Sequence, residues 1–273
     1  MRRSLLYPLT PGRLGTLLAG LVLIASAPST FAWSEDGHTA IGMLALDQLQ
    51  ADTRAQLESI VGDLNEQTIA EACNWPDVIR EEEAWEWSKP LHYVNIPRGQ
   101  ANYQASRDCA SGRCATVAVK KFATWLAEPQ RGERARWQAF AWLCHLVADL
   151  HQPLHAGFGD DRGGNEVVIM VRGETMNLHY YWDREVAKSQ AADWEILYQH
   201  LRAEPLEPMT GPWSTDEVDR WTEESHQIAA TKAYPPASTI DEHWERQAWG
   251  IAKERMRLAA ARLALIINTV LAD

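Results

Sequence analysis

Apolar residues recur along most of this chain every three to four positions, the spacing that gives an α-helix one apolar face. The periodicity predicts helices over residues 37–50, 51–61 and 68–84. Pro76, with no N–H to donate, should bend the third or begin a new turn. Two more helices are expected over 115–127 and 133–150. The second is apolar on most faces, which places it at the centre. Residues 214–232 and 239–271 close the chain, the former opening on the capping pattern Ser214-Thr215-Asp216-Glu217. The one β signal is residues 166–171, a turn at 172–175 and a second run at 176–180, preceded by a loop at 160–165. No repeat, low-complexity segment or linker interrupts the pattern. The expected architecture is all-α, a single mainly helical domain with one short β-hairpin beside the central helix.

The beginning of the chain departs from this periodicity. Arg2, Arg3 and Arg13 precede an apolar run over 14–25 that is too short to span a membrane, and Thr30-Phe31-Ala32 offers a small residue at a cleavage position. Residues 1–32 are therefore expected to be a signal peptide and 33–273 the mature domain, exported to the periplasm or secreted, with no membrane span after the signal is removed. The 273 residues suit one large domain or two small ones, and 46% hydrophobic residues allow a sizeable core. Formal charge is −11; losing three arginines leaves 23 basic against 37 acidic residues, or −14. Such acidity excludes an ordinary electrostatic binder of nucleic acid. It does not exclude a phosphate site if acidic residues hold divalent cations, whose charge inverts the local field. The four cysteines suit an oxidising compartment. Cys109 and Cys114 should close a small loop. Cys73 and Cys144 remain open between a disulfide, buried thiols and, for Cys144, a ligand role.

Candidate chemistry lies where polar residues interrupt apolar stretches, since a buried polar group needs a partner. In Trp142-Leu143-Cys144-His145-Leu146-Val147-Ala148-Asp149-Leu150-His151-Gln152-Pro153-Leu154-His155, His145 and Asp149 are four apart and share a helix face. Pro153 ends the helix, and His155 follows just beyond it. His179 and Asp183 repeat the spacing, while Asp77 and His92 place another carboxylate and imidazole among aromatic and apolar neighbours. Imidazole and carboxylate together suit zinc, and clusters of zinc ions hydrolyse phosphoesters. Cleavage after Ala32 would give Trp33 a free α-amine, which with its own carbonyl can chelate a metal that His38 also reaches. His151 is read as orienting a ligand from behind. His200, His226 and His243 are read as surface or partly buried helix residues.

The combination of Trp33 and His38, "NWPD" at Asp77, "LHYVN" at His92, "HLVADLHQPLH", "DRGGN" at residues 161–165 and "NLHYYWD" resembles the zinc-dependent single-strand-specific nucleases of the S1/P1 type, and more distantly bacterial zinc phospholipase C. The resemblance implies the helical fold of that superfamily and three zinc ions per chain. Asp77, His92 and His145 would hold one. His155, His179 and Asp183 would hold a second. The Trp33 amine and carbonyl with His38 would hold the third, and Asp149 would bridge the first and third. It implies hydrolysis of single-stranded DNA and RNA to 5′-phosphorylated products by activated water, with 3′-nucleotidase activity. Nucleotides are then the substrates, and no stable protein partner is implied. Asp77, Asp149 and Arg80 would act in catalysis, Arg80 also on phosphate, with Tyr93 stacking on a base and Asn95 and Asn165 contacting the nucleotide. Asn95 departs from relatives that carry Asp there, so base preference is open. A zinc phospholipase C and a non-catalytic zinc protein are the alternatives. The short spacing from Trp33 to His38 and the use of Asp rather than Glu at 183 favour a nuclease.

Overall fold

The computed structural model describes residues 32–206 and 208–272; apart from Ala32, the expected signal peptide lies outside the described residues. Eight helices of nine residues or more form the body: α1 (Ser34–Leu46), α2 (Ala51–Val61), α3 (Glu66–Ile79), α4 (Ala115–Ala127), α5 (Glu133–His151), α6 (Trp194–Arg202), α7 (Asp216–Ile228) and α8 (Glu242–Val270). The mainly helical expectation holds. Helix α5 is the axis: every residue from Ala139 to His151 is buried, and α1 to α4, α7 and α8 pack around it. Among the described residues no helix is long and apolar enough to cross a membrane.

Two covalent links brace the helices. The Cys73–Cys144 disulfide joins α3 to α5 with a Cα–Cα distance of 5.2 Å, and Cys109–Cys114 closes the short loop before α4. Helix α1 rests on the first link at Gly42. A Cβ there would lie 2.7 Å from Ile69 Cγ2 and 2.8 Å from Cys73 Sγ, so only glycine lets the helices meet.

Several boundaries differ from the periodicity. Helix α3 begins at an Asn65 cap that accepts from the Thr68 amide, runs through Pro76 without a break, and ends at Ile79. A 3₁₀ segment, Glu83–His92, then carries the chain to the site. The capping pattern before α7 makes no side-chain cap bond; Glu217 N donates instead to the Ser214 backbone carbonyl. Residues 229–233 continue α7 as a wider π turn. Helix α6 is too short for its period to stand out, and sequence reading missed it. The hairpin is β1 (Val168–Val171) and β2 (Glu174–Asn177), antiparallel with Val168 opposite Asn177. Arg172 and Gly173 both have positive φ, as a two-residue hairpin turn requires. Thr239–Ile240, expected inside the last helix, instead forms β3, parallel to β1, and Asp241 caps α8 by accepting from the Trp244 amide. The second hairpin strand was expected to reach residue 180. It ends at Asn177, whose side chain accepts from the Tyr180 amide and starts a helical turn that passes into a π turn, Tyr181–Glu185. His179 and Asp183 are therefore helical neighbours.

The exit of α5 is held from the side of α8. Arg255 Nε donates to His151 O (3.3 Å), Ser225 Oγ to Leu150 O (2.5 Å), and Arg262 Nη1 to His151 Nε2 (2.8 Å). Glu224 accepts from both arginines. His151 thus faces this ionic cluster rather than orienting a ligand, which corrects the reading from sequence. Two residues on from Asp149 means roughly 200° around the helix, pointing it away. His226 is fully buried, not superficial, with its ring nitrogens facing the Ala156 and Gln100 carbonyls. His200 is half-buried against Trp249 and His243 is exposed.

Candidate functional site

Four parts of the chain converge on one side of α5. Helix α5 presents His145 and Asp149, with Nε2 to Oδ2 at 3.3 Å. Helix α1 lays the His38 ring on His145, centroids 4.0 Å apart and planes 10° from parallel, with His38 Nε2 3.5 Å from Asp149 Oδ1. Helix α3 brings Asp77, whose Oδ1 is 3.6 Å from His145 Nε2 and 3.7 Å from His92 Nδ1. The 3₁₀ segment ends in His92, with Nδ1 3.0 Å from Asp149 Oδ2. Each oxygen of Asp149 therefore faces different imidazoles.

A second group adjoins the first. His155 Nε2 is 3.6 Å from Asp183 Oδ1, and His179 Nε2 is 3.3 Å from Asp183 Oδ2, with the two rings stacked at 5.0 Å. The groups are tied by backbone: His155 Nδ1 donates to His92 O (2.6 Å), and Val94 N donates back to His155 O (2.8 Å).

The tautomers follow from the partners. A carbonyl can only accept, so His145 Nδ1 donates to Cys73 O (2.8 Å) and His179 Nδ1 to Gly163 O (2.7 Å), as His155 does to His92 O. In each neutral ring Nε2 is left as a lone pair, aimed at carboxylate oxygens that are also acceptors. Acceptors crowd acceptors, which is stable only around a cation or added protons. Of the eleven buried side-chain atoms without a hydrogen-bond partner among the described residues, seven are here: both His38 nitrogens, Asp77 Oδ2, His92 Nε2, Asp149 Oδ1, His155 Nε2 and Asp183 Oδ2. Each such atom costs about 1–3 kcal/mol if left dry and unpaired. Three sets of ligand atoms lie close enough to hold an ion: His38, Asp77 and His145; His92, His145 and Asp149; and His155, His179 and Asp183. The third set matches the expected grouping. The first two share His145 and divide the remaining groups differently from the expected assignment.

Burial and charge act together on these groups. Burial, reinforced by His145, pulls the His38 imidazole well below its usual range, so its nitrogens stay available as ligands. Burial pushes the Asp77 carboxyl up. Burial opposes charge on His155 too, but the Asp183 carboxylate, 3.6 Å away, and the Asp149 carboxylate outweigh it and lift the ring to about 9.

Trp33 lies at the start of α1, its indole Nε1 donating to Ala148 O (2.9 Å), next to Asp149. Trp33 and Ser34 both have positive φ, which folds the chain sharply into the helix. Arg80 Nη1 donates to Asp77 Oδ1 (2.9 Å). A cavity of about 280 Å³ opens beside the rings of His92, His155 and His179, and Arg80, Tyr93, Asn95 and Asn165 all line it. Tyr93 is 42% exposed, enough to offer a ring face. The Asn165 amide is engaged by its own loop, donating to Arg162 O (2.9 Å).

Sequence reading missed five contributors. Lys89 and Arg162 add positive charge to the cavity wall; isolated charges on turns give no signal. Gln152 donates to Asp183 Oδ1 (2.6 Å) and accepts from the Leu154 amide (2.6 Å), fixing one candidate ligand. Its place between His151 and Pro153 was the available clue. Arg98, with Tyr234, grips Asp161, whose other oxygen accepts from Gly164 N (2.8 Å). That grip holds the loop whose Gly163 carbonyl orients His179. Gly163 has φ +63°, and a Cβ there would lie 2.7 Å from Leu154 O, so the loop needs glycine.

The chain matches known proteins throughout this architecture. Endonuclease 1 of Arabidopsis thaliana is 28% identical over 284 residues, covering 94% of this chain and 93% of that protein. Nuclease S1 of Aspergillus oryzae is 29% identical over 207 residues, covering 73% of this chain and 70% of that protein. Nuclease P1 of Penicillium citrinum is 23% identical over 226 residues, covering 74% and 82%. The family model described as S1/P1 Nuclease matches residues 33–272, beginning at Trp33. With nearly every described residue inside that match, the chain belongs to the S1/P1 nuclease family and is a phosphodiester-cleaving endonuclease.

Proposed function

We propose that the chain is an exported zinc enzyme hydrolysing single-stranded DNA and RNA to 5′-phosphorylated products, with 3′-nucleotidase activity, and that residues 33–273 form its mature domain. The observation that carries this reading is the set of seven buried, unpartnered side-chain atoms, all on residues able to ligate a metal. An imidazole and carboxylate donor set favours zinc among common ions. Three ions account for the crowding: two near Asp149 and one at His155, His179 and Asp183. Ions held there make water a nucleophile near neutral pH and neutralise charge building on the phosphate.

The chain's own residues supply the rest. Asp149 spans the first group through its two oxygens, and Asp77 joins it from α3. Trp33, freed at its amine by cleavage after Ala32, completes the first group with His38. The Cys73, His92 and Gly163 carbonyls fix the rings that hold the ions, the role such outer partners commonly play. Arg80, Lys89 and Arg162 offset a net charge of −11 where phosphate must approach. Tyr93 offers its face to an unstacked base, a contact open to any base but not to a paired strand, and Asn95 and Asn165 contact the nucleotide.

The test is zinc quantification on protein processed to Trp33, coupled to digestion of denatured DNA with and without chelator. Three zinc ions per chain, chelator-sensitive digestion and 5′-phosphate ends are expected. One zinc and no digestion would instead support a non-catalytic zinc protein. Release of phosphocholine from lecithin without nuclease action would support a phospholipase. A residue added ahead of Trp33 should remove most activity.

A further inference from the structure

We propose that a second cavity, with Asp77 and Asp183 in its wall, is the subsite for the nucleotide that keeps the phosphate after cleavage, and that Arg184 and Lys188 are its phosphate-binding pair. The proposal rests on the nuclease reading above and extends it.

This cavity measures about 580 Å³, twice the first, and the two have no lining residue in common. Yet Asp77 and Asp183 form part of its wall. Those carboxylates lie 3.7 Å from His92 and 3.3 Å from His179, the rings that line the first cavity. The two cavities therefore both adjoin the candidate ligands. A phosphodiester seated at that junction has one nucleotide on each side. Hydrolysis breaks the P–O3′ bond, adds the hydroxyl of water to phosphorus and leaves the proton on O3′. In this proposal the first cavity, where Tyr93 offers a ring face to a base, takes the nucleoside whose O3′ departs. The fragment retaining the phosphate must extend the other way.

The second cavity has the chemistry for that fragment. Arg184 and Lys188 stand four apart along the helical segment after Asp183. Both are exposed, and neither makes a hydrogen bond or ion pair among the described residues. Of the nearby acids, Asp193 is turned to the chain, capping α6 by accepting from Ile196 N (2.9 Å). Glu35 is exposed, and the open oxygens of Asp77 and Asp183 on the wall belong to the candidate ligands. Val78, 66% exposed, and the exposed Ala192 give an apolar surface for sugar and base without a hydrogen-bonding code.

The test compares a thymidine 3′-monophosphate, which needs only the first cavity, with a short oligothymidylate, which needs both. For Arg184→Ala/Lys188→Ala, kcat/KM on the oligonucleotide should fall about tenfold relative to that on the mononucleotide, through KM, the size expected for lost charge-assisted contacts. Binding of 5′-phosphorylated oligothymidylate, read as inhibition of mononucleotide hydrolysis, should weaken similarly. Arg184→Lys/Lys188→Arg should restore both. A surface control, Arg172→Ala/Arg246→Ala, should leave the ratio unchanged. Parallel changes on both substrates, or an equal effect from the control, overturn the subsite. If the unsubstituted protein hydrolyses neither substrate, the nuclease reading itself fails.

Discussion

Helix α5 carries two buried polar clusters on opposite faces, and they are resolved in opposite ways. On the α8 side, His151, Arg255, Arg262 and Glu224 nearly satisfy one another, with Arg262 Nε alone left without a partner. On the other side, His38, Asp77, His92, Asp149, His155 and Asp183 each keep a buried atom with nothing to bind. A polar group that is internally paired serves the fold. One left open at comparable burial has its partner outside the protein. Burial alone does not distinguish the two; satisfaction does.

The comparison breaks most sharply at Asp149. Asp149→Ala should lower single-strand hydrolysis by about 10³-fold, since metal assistance supplies several kcal/mol and each 1.36 kcal/mol is tenfold. Zinc content should drop, while melting in chelator should not fall. A zinc-replete variant with normal rates would erase the distinction. On the opposite face, Arg255→Met should lower unfolding stability by about 3 kcal/mol, because it leaves Glu224 short of a partner and removes the bond to His151 O. Zinc content should be unchanged, and urea melts with metal analysis check both. Gln152→Ala sits at the border: releasing Asp183 should weaken zinc affinity by about 10–100-fold, the usual cost of a lost outer partner, with little effect on folding. Competition with a graded chelator measures it.

The smallest effect is in acid. Burial raises the Glu224 carboxyl, but the Arg262 and Arg255 hydrogen bonds prevail and hold it below its ordinary value of 4.5. A depressed acid contributes stability that is present above 4.5 and lost as pH falls through the folded value. Glu224→Gln should therefore flatten the acid limb of stability against pH. An unchanged limb would show that other carboxylates set it.

How far the sequence was legible follows the same division. His145 with Asp149, and His179 with Asp183, announced themselves by four-residue spacing in apolar surroundings. Their convergence with Asp77 and His92 was legible only through the family pattern, since Asp77 and His145 lie on different helices 68 positions apart. The ionic cluster was invisible, because His151 and Arg262 meet across 111 positions and neither has a local signature. The second cavity was equally hidden: Lys188 reads as one more surface charge until α6 lines the same cavity. Helical periodicity found the long elements and missed α6 and β3, which are too short to show a period.

The Cys73–Cys144 bond has a further consequence. It lies one residue before His145 and four before Asp77, and Cys73 also lends the carbonyl that steers His145. Spacing between those two candidate ligands is thus fixed by covalent chemistry rather than by any ion bound there. A scaffold of this kind can be emptied and refilled without losing its shape, whereas a thiol reductant strikes at the frame itself and disarms the centre even when zinc is plentiful.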